Sequence, residues 1–189
     1  MTGIATTALT AFFVASGVGS TSLPALWTNN TPQEPVYPAY EVSLTGYNAT
    51  PEQTDSTPNI TASGAYADPD VVAARSQDLA DELPFGTVIS VTPSPTSSPE
   101  CGYDLVGDMV GLRVIADSMN ARMHDKVDIL FDTDSKIKIG GKQTSAARVL
   151  GVCKNFIVSV VGHIDPKHMP QNQLALKLAL GQNELADSK

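Results

Sequence analysis

Basic residues are scarce in this chain of 189 residues: 12 Lys and Arg stand against 20 Asp and Glu, for a formal net charge of −8. That balance argues against nucleic acid and against anionic lipid surfaces, both of which need a positive face on the protein. Charge of either sign is missing from the first 33 residues, and Glu34 is the first ionisable side chain. The sequence holds no Walker loop, no G-x-G-x-x-G, no serine-centred elbow and no paired C-x-x-C, so nothing in it points to nucleotide phosphates, a dinucleotide, a serine nucleophile or structural zinc. No repeat of fixed period is present. There are two cysteines, Cys101 and Cys153. An even count in an exported protein fits one disulfide, with two unpaired thiols as the alternative.

What is there suits one domain with extensions, because 42% hydrophobic residues in a chain of this length can build a core. Residues 1–22 hold an apolar run, Ile4 to Ala15, followed by small residues, and read as an export signal or N-terminal anchor, though no Lys or Arg precedes the run. Residues 23–40 contain four prolines and the lone Trp27, and read as an extended linker. The folded part is expected over 41–166, with a helical tail over 167–189 whose apolar face is Leu174 and Leu178 and whose stop is Gly181. Short apolar runs at Val42–Gly46, Val71–Ala74, Val88–Val91, Val114–Ala116, Val127–Phe131 and Phe156–Val161 predict about six strands. Few helices and long polar loops separate them. That pattern belongs to a small β-barrel or sandwich. The long loop from Tyr47 to Ala65 is of the kind that is either functional or disordered.

The chain's central stretch is Arg113–Asp132. Val127, Ile129 and Phe131 alternate with Lys126, Asp128 and Leu130, which predicts a strand with the first set in the core and Asp128 on the other face. Asp117 precedes Asp128 by 11 residues. Two strands joined by the turn 118–126 would bring both carboxylates to one end of a sheet. Neighbouring carboxylates push their pKa values apart, and lifting one from the ordinary ~3.9 to about 6 takes roughly 3 kcal/mol. On pattern alone, ordinary turn and strand-edge aspartates are the competing explanation. His163, Asp165 and His168, with His124 farther off, have a spacing open to metal binding, but Pro166 and Pro170 mark a loop where histidines are usually solvated.

Three segments together resemble the three-aspartate (3D) domain of bacterial cell-wall proteins. They are Thr45-Gly-Tyr-Asn with Thr61-Ala-Ser-Gly; Val71-Val-Ala-Ala-Arg-Ser-Gln-Asp78 with Leu83-Pro-Phe-Gly-Thr; and Ile115-Ala-Asp117-Ser-Met-Asn-Ala-Arg122 with Lys126-Val-Asp128-Ile. The resemblance spans about residues 42–162. It departs from the family pattern in having Met119-Asn120 after Asp117 where the family has two glycines, and Ser76 where the family often has its first acid. It implies an all-β fold, a six-stranded double-psi β-barrel with short helices and long loops, akin to membrane-bound lytic transglycosylase A and the rare-lipoprotein-A-like barrels. It also implies an exported, wall-associated, periplasmic or extracellular protein, a monomer that cleaves peptidoglycan glycan strands without a cofactor or metal. Asp78, Asp117 and Asp128 match the three aspartates and become the expected catalytic set. Tyr47, Thr61, Ser63, Asn120 and Arg122 become the expected substrate contacts. Arg113 and Arg122 are further candidates to grip a stem-peptide carboxylate, or are surface charges. Two rivals remain: a glycoside hydrolase using the same aspartates, and a wall-binding module without activity, which the missing glycines favour.

Overall fold

The computed structural model describes residues 37–95 and 101–187. The expected export segment, the linker up to residue 36 with Trp27, and the tip at 96–100 lie outside them. The described chain runs through β1 (Ala39–Asn48), β2 (Val72–Arg75), β3 (Thr87–Pro93), α1 (Tyr103–Val106), β4 (Arg113–Ser118), β5 (Lys126–Phe131), β6 (Lys136–Ile139), β7 (Lys142–Ser145), α2 (Ala146–Leu150), β8 (Cys153–His163) and α3 (Gln173–Asp187). Six strands close into a barrel in the order β1-β5-β2-β4-β3-β8, and β6 and β7 form a separate hairpin.

Two pairs in the barrel are parallel, β1 with β5 and β2 with β4, and the others are antiparallel. Exchanging the first three barrel strands for the last three (β1 for β4, β2 for β5, β3 for β8) reproduces the same neighbour order. The chain therefore crosses itself twice in related ways, which is the double-psi arrangement.

Closure follows from the strand patterns. Leu44, Ala73, Ile89, Ile115, Ile129 and Phe156, one from each barrel strand, are fully buried in a single cluster inside the barrel. Val127, Ile129 and Phe131 all belong to this interior set, as their alternation predicts. A second cluster covers part of the outer surface, where Val72, Val88, Val114 and Leu130 meet Leu176 of α3. Near α1 and α2 the Tyr103 ring packs edge-on against Phe156 at 4.8 Å, and a disulfide joins Cys101 to Cys153 across 52 residues. Closing a loop of that length restricts the unfolded chain, so reduction should lower the free energy of unfolding by about 2–4 kcal/mol. Urea titrations with and without reductant check this.

Three local expectations change. First, β4 and β5 are not a hairpin: β2 lies between them and pairs with both. Second, the polar stretch after Phe131 contains the β6–β7 hairpin, turned at Gly140 and Gly141, both at positive φ (55° and 83°) as the tightest hairpin turns demand. Third, α3 runs through Gly181, and its barrel-facing leucine is Leu176, whereas Leu174 and Leu178 are 68% and 59% exposed. A polar anchor sets that rotation. The Gln173 amide donates to the carbonyls of Leu112 (2.8 Å) and Asp70 (2.6 Å) and accepts from the Leu112 N–H (2.9 Å). Positions 176 and 180 lie on the same helix face as 173.

Candidate functional site

The registers of four adjacent strands assemble the site. On β1, Thr45 stands opposite Asp128 of β5; on β2, Ala74 stands opposite Asp128 on one side and Asp117 of β4 on the other. Directly paired residues share a face, so Thr45, Asp128, Ala74 and Asp117 all point out of the barrel. Asp117 does so because of a bulge. Between Ala73 and Ala74 on β2, β4 advances from Ile115 to Asp117, leaving Ala116 as the extra residue. Without it, Asp117 would take the parity of Ile115 and point into the apolar interior. Re-aiming one side chain is a common use of a bulge. The two acids thus lie two strand spacings apart, about 10 Å between main chains, with only the methyl group of Ala74 between them.

Each carboxylate has its own support. Asp128 is partly buried, and its Oδ1 accepts from the Thr45 hydroxyl at 2.9 Å. Burial lifts its pKa to about 6, the Thr45 hydrogen bond and the Lys126 charge oppose the rise, and Asp117 adds the smallest upward push. Desolvation, rather than a neighbouring carboxylate, is therefore the main cause, which corrects the expectation from sequence. Asp117 accepts at Oδ1 from the amides of Ala62 and Ser118 (both 2.9 Å) and at Oδ2 from the Tyr47 hydroxyl (3.1 Å). Burial and the two aspartates push the Tyr47 phenol far above its usual range, so it stays a donor.

Above these residues lies a cleft of about 620 Å³. Tyr47, Ala74, Asp117 and Asp128 form its floor. The loop 52–62 is one wall, and Ser118–Asn120 with Arg122 and Met123 is the other. The long loop seen in the sequence is therefore ordered into a cleft wall. Its Thr61-Ala-Ser-Gly turn is held by the Ser63 N–H bonded to the Ala116 carbonyl (3.0 Å) and by the Thr61 hydroxyl donating to Ala65 (3.0 Å).

Of the expected site residues, Asp117, Asp128, Tyr47, Thr61, Asn120 and Arg122 come together at the cleft. Ser63 does not line it; it braces the turn, with its hydroxyl 3.0 Å from that of Thr61. Asp78 does not line it either. It is exposed, accepts from the Asp125 N–H at 2.9 Å and faces His124 at 3.8 Å; hydrogen bonds from the Asp125 N–H and then the Ser76 side chain hold its pKa below the usual carboxylate range. Its place is at the foot of the 119–125 lip. Arg113 is neither a substrate contact nor a surface charge: it is 1% exposed, with its guanidinium turned to main-chain carbonyls. Asp165 and His168 pair with each other at 3.0 Å, and among the described residues no three His, Cys, Asp or Glu side chains are grouped to hold a metal ion.

Sequence reasoning missed Thr45 and Ala74. Thr45 was in view as part of a motif, but its partnership with Asp128 depends on a parallel register across 83 residues. Ala74 matters for what it lacks, and no local signal marks that. No protein-family model matches the chain, and no curated protein matches it in sequence.

Proposed function

We propose that this protein is a lytic transglycosylase that cleaves the bond between N-acetylmuramic acid and N-acetylglucosamine in peptidoglycan. The observation that carries the reading is the position of Asp128: a desolvated carboxyl on the floor of an open, polar cleft, held by Thr45, with the ionisable Asp117 beyond Ala74. A carboxyl with a pKa of about 6 holds a proton in a useful fraction of molecules near neutral pH and can also take one back.

In this reading Asp128 donates its proton to the glycosidic oxygen as the bond from that oxygen to the muramoyl C1 breaks. The muramoyl C6 hydroxyl then attacks C1 and gives its proton to Asp128, closing a 1,6-anhydro ring. No water is consumed, and Asp128 ends as it began. Asp117, fixed by three donors, stabilises positive charge developing at the sugar. Asp78 acts at a distance by holding the lip that carries Asn120 and Arg122. The resemblance to three-aspartate wall proteins supports the substrate, and the Cys101–Cys153 disulfide fits an exported, oxidising location.

The test is to incubate the full chain, and Asp128→Asn beside it, with peptidoglycan sacculi and to weigh the soluble products. Anhydro-muropeptides from the parent and none from the variant are expected. Sacculi that retain the protein but release nothing would leave a wall-binding module in place of an enzyme.

A further inference from the structure

We propose that Tyr66 and Ile60 form a stacking shelf on the rim of the cleft that holds a hexopyranose ring of the glycan strand, outside the bond that is cut. This deepens the proposed function and rests on its glycan substrate.

The placement is fixed by the main chain. Ile60 and Tyr66 form an isolated antiparallel bridge. The Thr61 N–H bonds to the Ala65 carbonyl and the Ala67 N–H to the Asn59 carbonyl, both at 2.9 Å, so the 60/66 pair sits between these bonds and not within one. Such pairs bring their side chains closest, on one face of the ribbon. Ile60 lines the cleft, so Tyr66 continues the same surface outward. The flanking Ala65 and Ala67 are buried at 8% and 7%, whereas Tyr66 is 62% and Ile60 52% exposed. Two anchored small residues thus force the ring out into solvent.

Among the described residues of the cleft, aromatic surface is otherwise scarce. Among the described residues that line it, the only aromatic one is Tyr47, which is 7% exposed and has its hydroxyl committed to Asp117. Pyranose rings present apolar C–H faces that pack on aromatic and aliphatic side chains. The walls supply hydrogen bonds and small apolar patches at Pro58, Met119 and Met123, but no aromatic face. The shelf adds one, on the same short turn that delivers the Ala62 amide to Asp117.

The experiment uses the full chain and peptide-free glycan chains of two lengths, a disaccharide and an octasaccharide, prepared from sacculi. Binding is measured by calorimetry in the Asp128→Asn background so that the ligand is not consumed, and turnover is measured in the parent background. Tyr66→Ala should weaken octasaccharide binding about tenfold, the loss of one ring contact, and raise KM with kcat unchanged. Disaccharide binding should not move, and Tyr66→Phe should behave as the parent. Octasaccharide affinity unchanged in Tyr66→Ala would overturn the shelf and leave the glycan reading standing. Equal losses for both lengths with a lower kcat would overturn it too, showing damage to the turn. A parent that neither binds nor cleaves either glycan would overturn the substrate reading itself and the shelf with it.

Discussion

Asp128→Asn is expected to abolish release of muropeptides and, at the same time, to make the protein more stable above pH 6. In the proposed reaction, the loss of turnover follows from removing the group that would give and take the proton, an effect of about 10²–10⁴ in rate. The gain in stability follows from the raised pKa. In the folded protein Asp128 titrates at about 6, whereas in the unfolded chain it takes the ordinary value of 3.8. Between those values the unfolded state gives up its proton first, so stability falls as pH rises through this window and stays lower above it. The full difference is about 3 kcal/mol at 1.36 kcal/mol per pH unit. Asparagine carries no charge to desolvate and still offers Thr45 an acceptor. Urea midpoints of parent and variant should therefore lie close together at pH 4 and diverge by pH 8 in favour of the variant. A variant less stable at pH 8 would mean that Asp128 is held for structure. Parent activity should also show a limb near pH 6, where Asp128 changes form.

Arg113→Met is expected to cost about 3–5 kcal/mol of folding free energy, a large part of the 5–15 kcal/mol typical of a domain. Arg113 lies at the start of β4 with its guanidinium buried, and among the described residues no carboxylate comes within 4 Å of it. Its donors go instead to the carbonyls of Pro69, Met109, Val110, Val72 and Leu130. They tie the loop before β2, the turn before β4 and the strand β5 together under the site. Burial pulls its pKa down to about 10, against the opposing charges of Asp70 and Asp68, so it keeps its charge at neutral pH. Methionine fills much of the space but takes away these donors, and two carbonyls left unpaired, at about 1–3 kcal/mol each, account for the loss. Arg113→Lys, with charge but no fork, should fall between. Chemical denaturation reads both, and equal stability of all three proteins would contradict this role for Arg113.

Much of this was legible in the sequence because it is written in local periodicity. The alternation in Val127–Phe131 put Asp128 on the face away from the core, where it lies. The six short apolar runs and the three motif segments led to a closed six-stranded barrel. What stayed illegible depends on long-range register. The β4 bulge that turns Asp117 outward leaves no trace in Ile115-Ala116-Asp117, because it exists only relative to β2. The place of β2 between β4 and β5 was invisible for the same reason, and Arg113–Asp132 therefore read as two strands joined by a turn, with nothing set between them. Gln173 defeated the reading of α3, since a hydrophobic pattern with leucines on two faces cannot say which face a polar anchor will select. Arg113 read as a carboxylate grip or a surface charge because arginine is usually exposed; only the converging carbonyls of three segments make its burial tolerable.

The measurement that tests the central claim most directly is digestion of sacculi by the full chain in H₂¹⁸O, with mass analysis of every released glycan end. Transglycosylation by Asp128 predicts 1,6-anhydro ends without ¹⁸O, because the nucleophile is the muramoyl C6 hydroxyl. Reducing ends carrying ¹⁸O would show that water is the nucleophile and would contradict it.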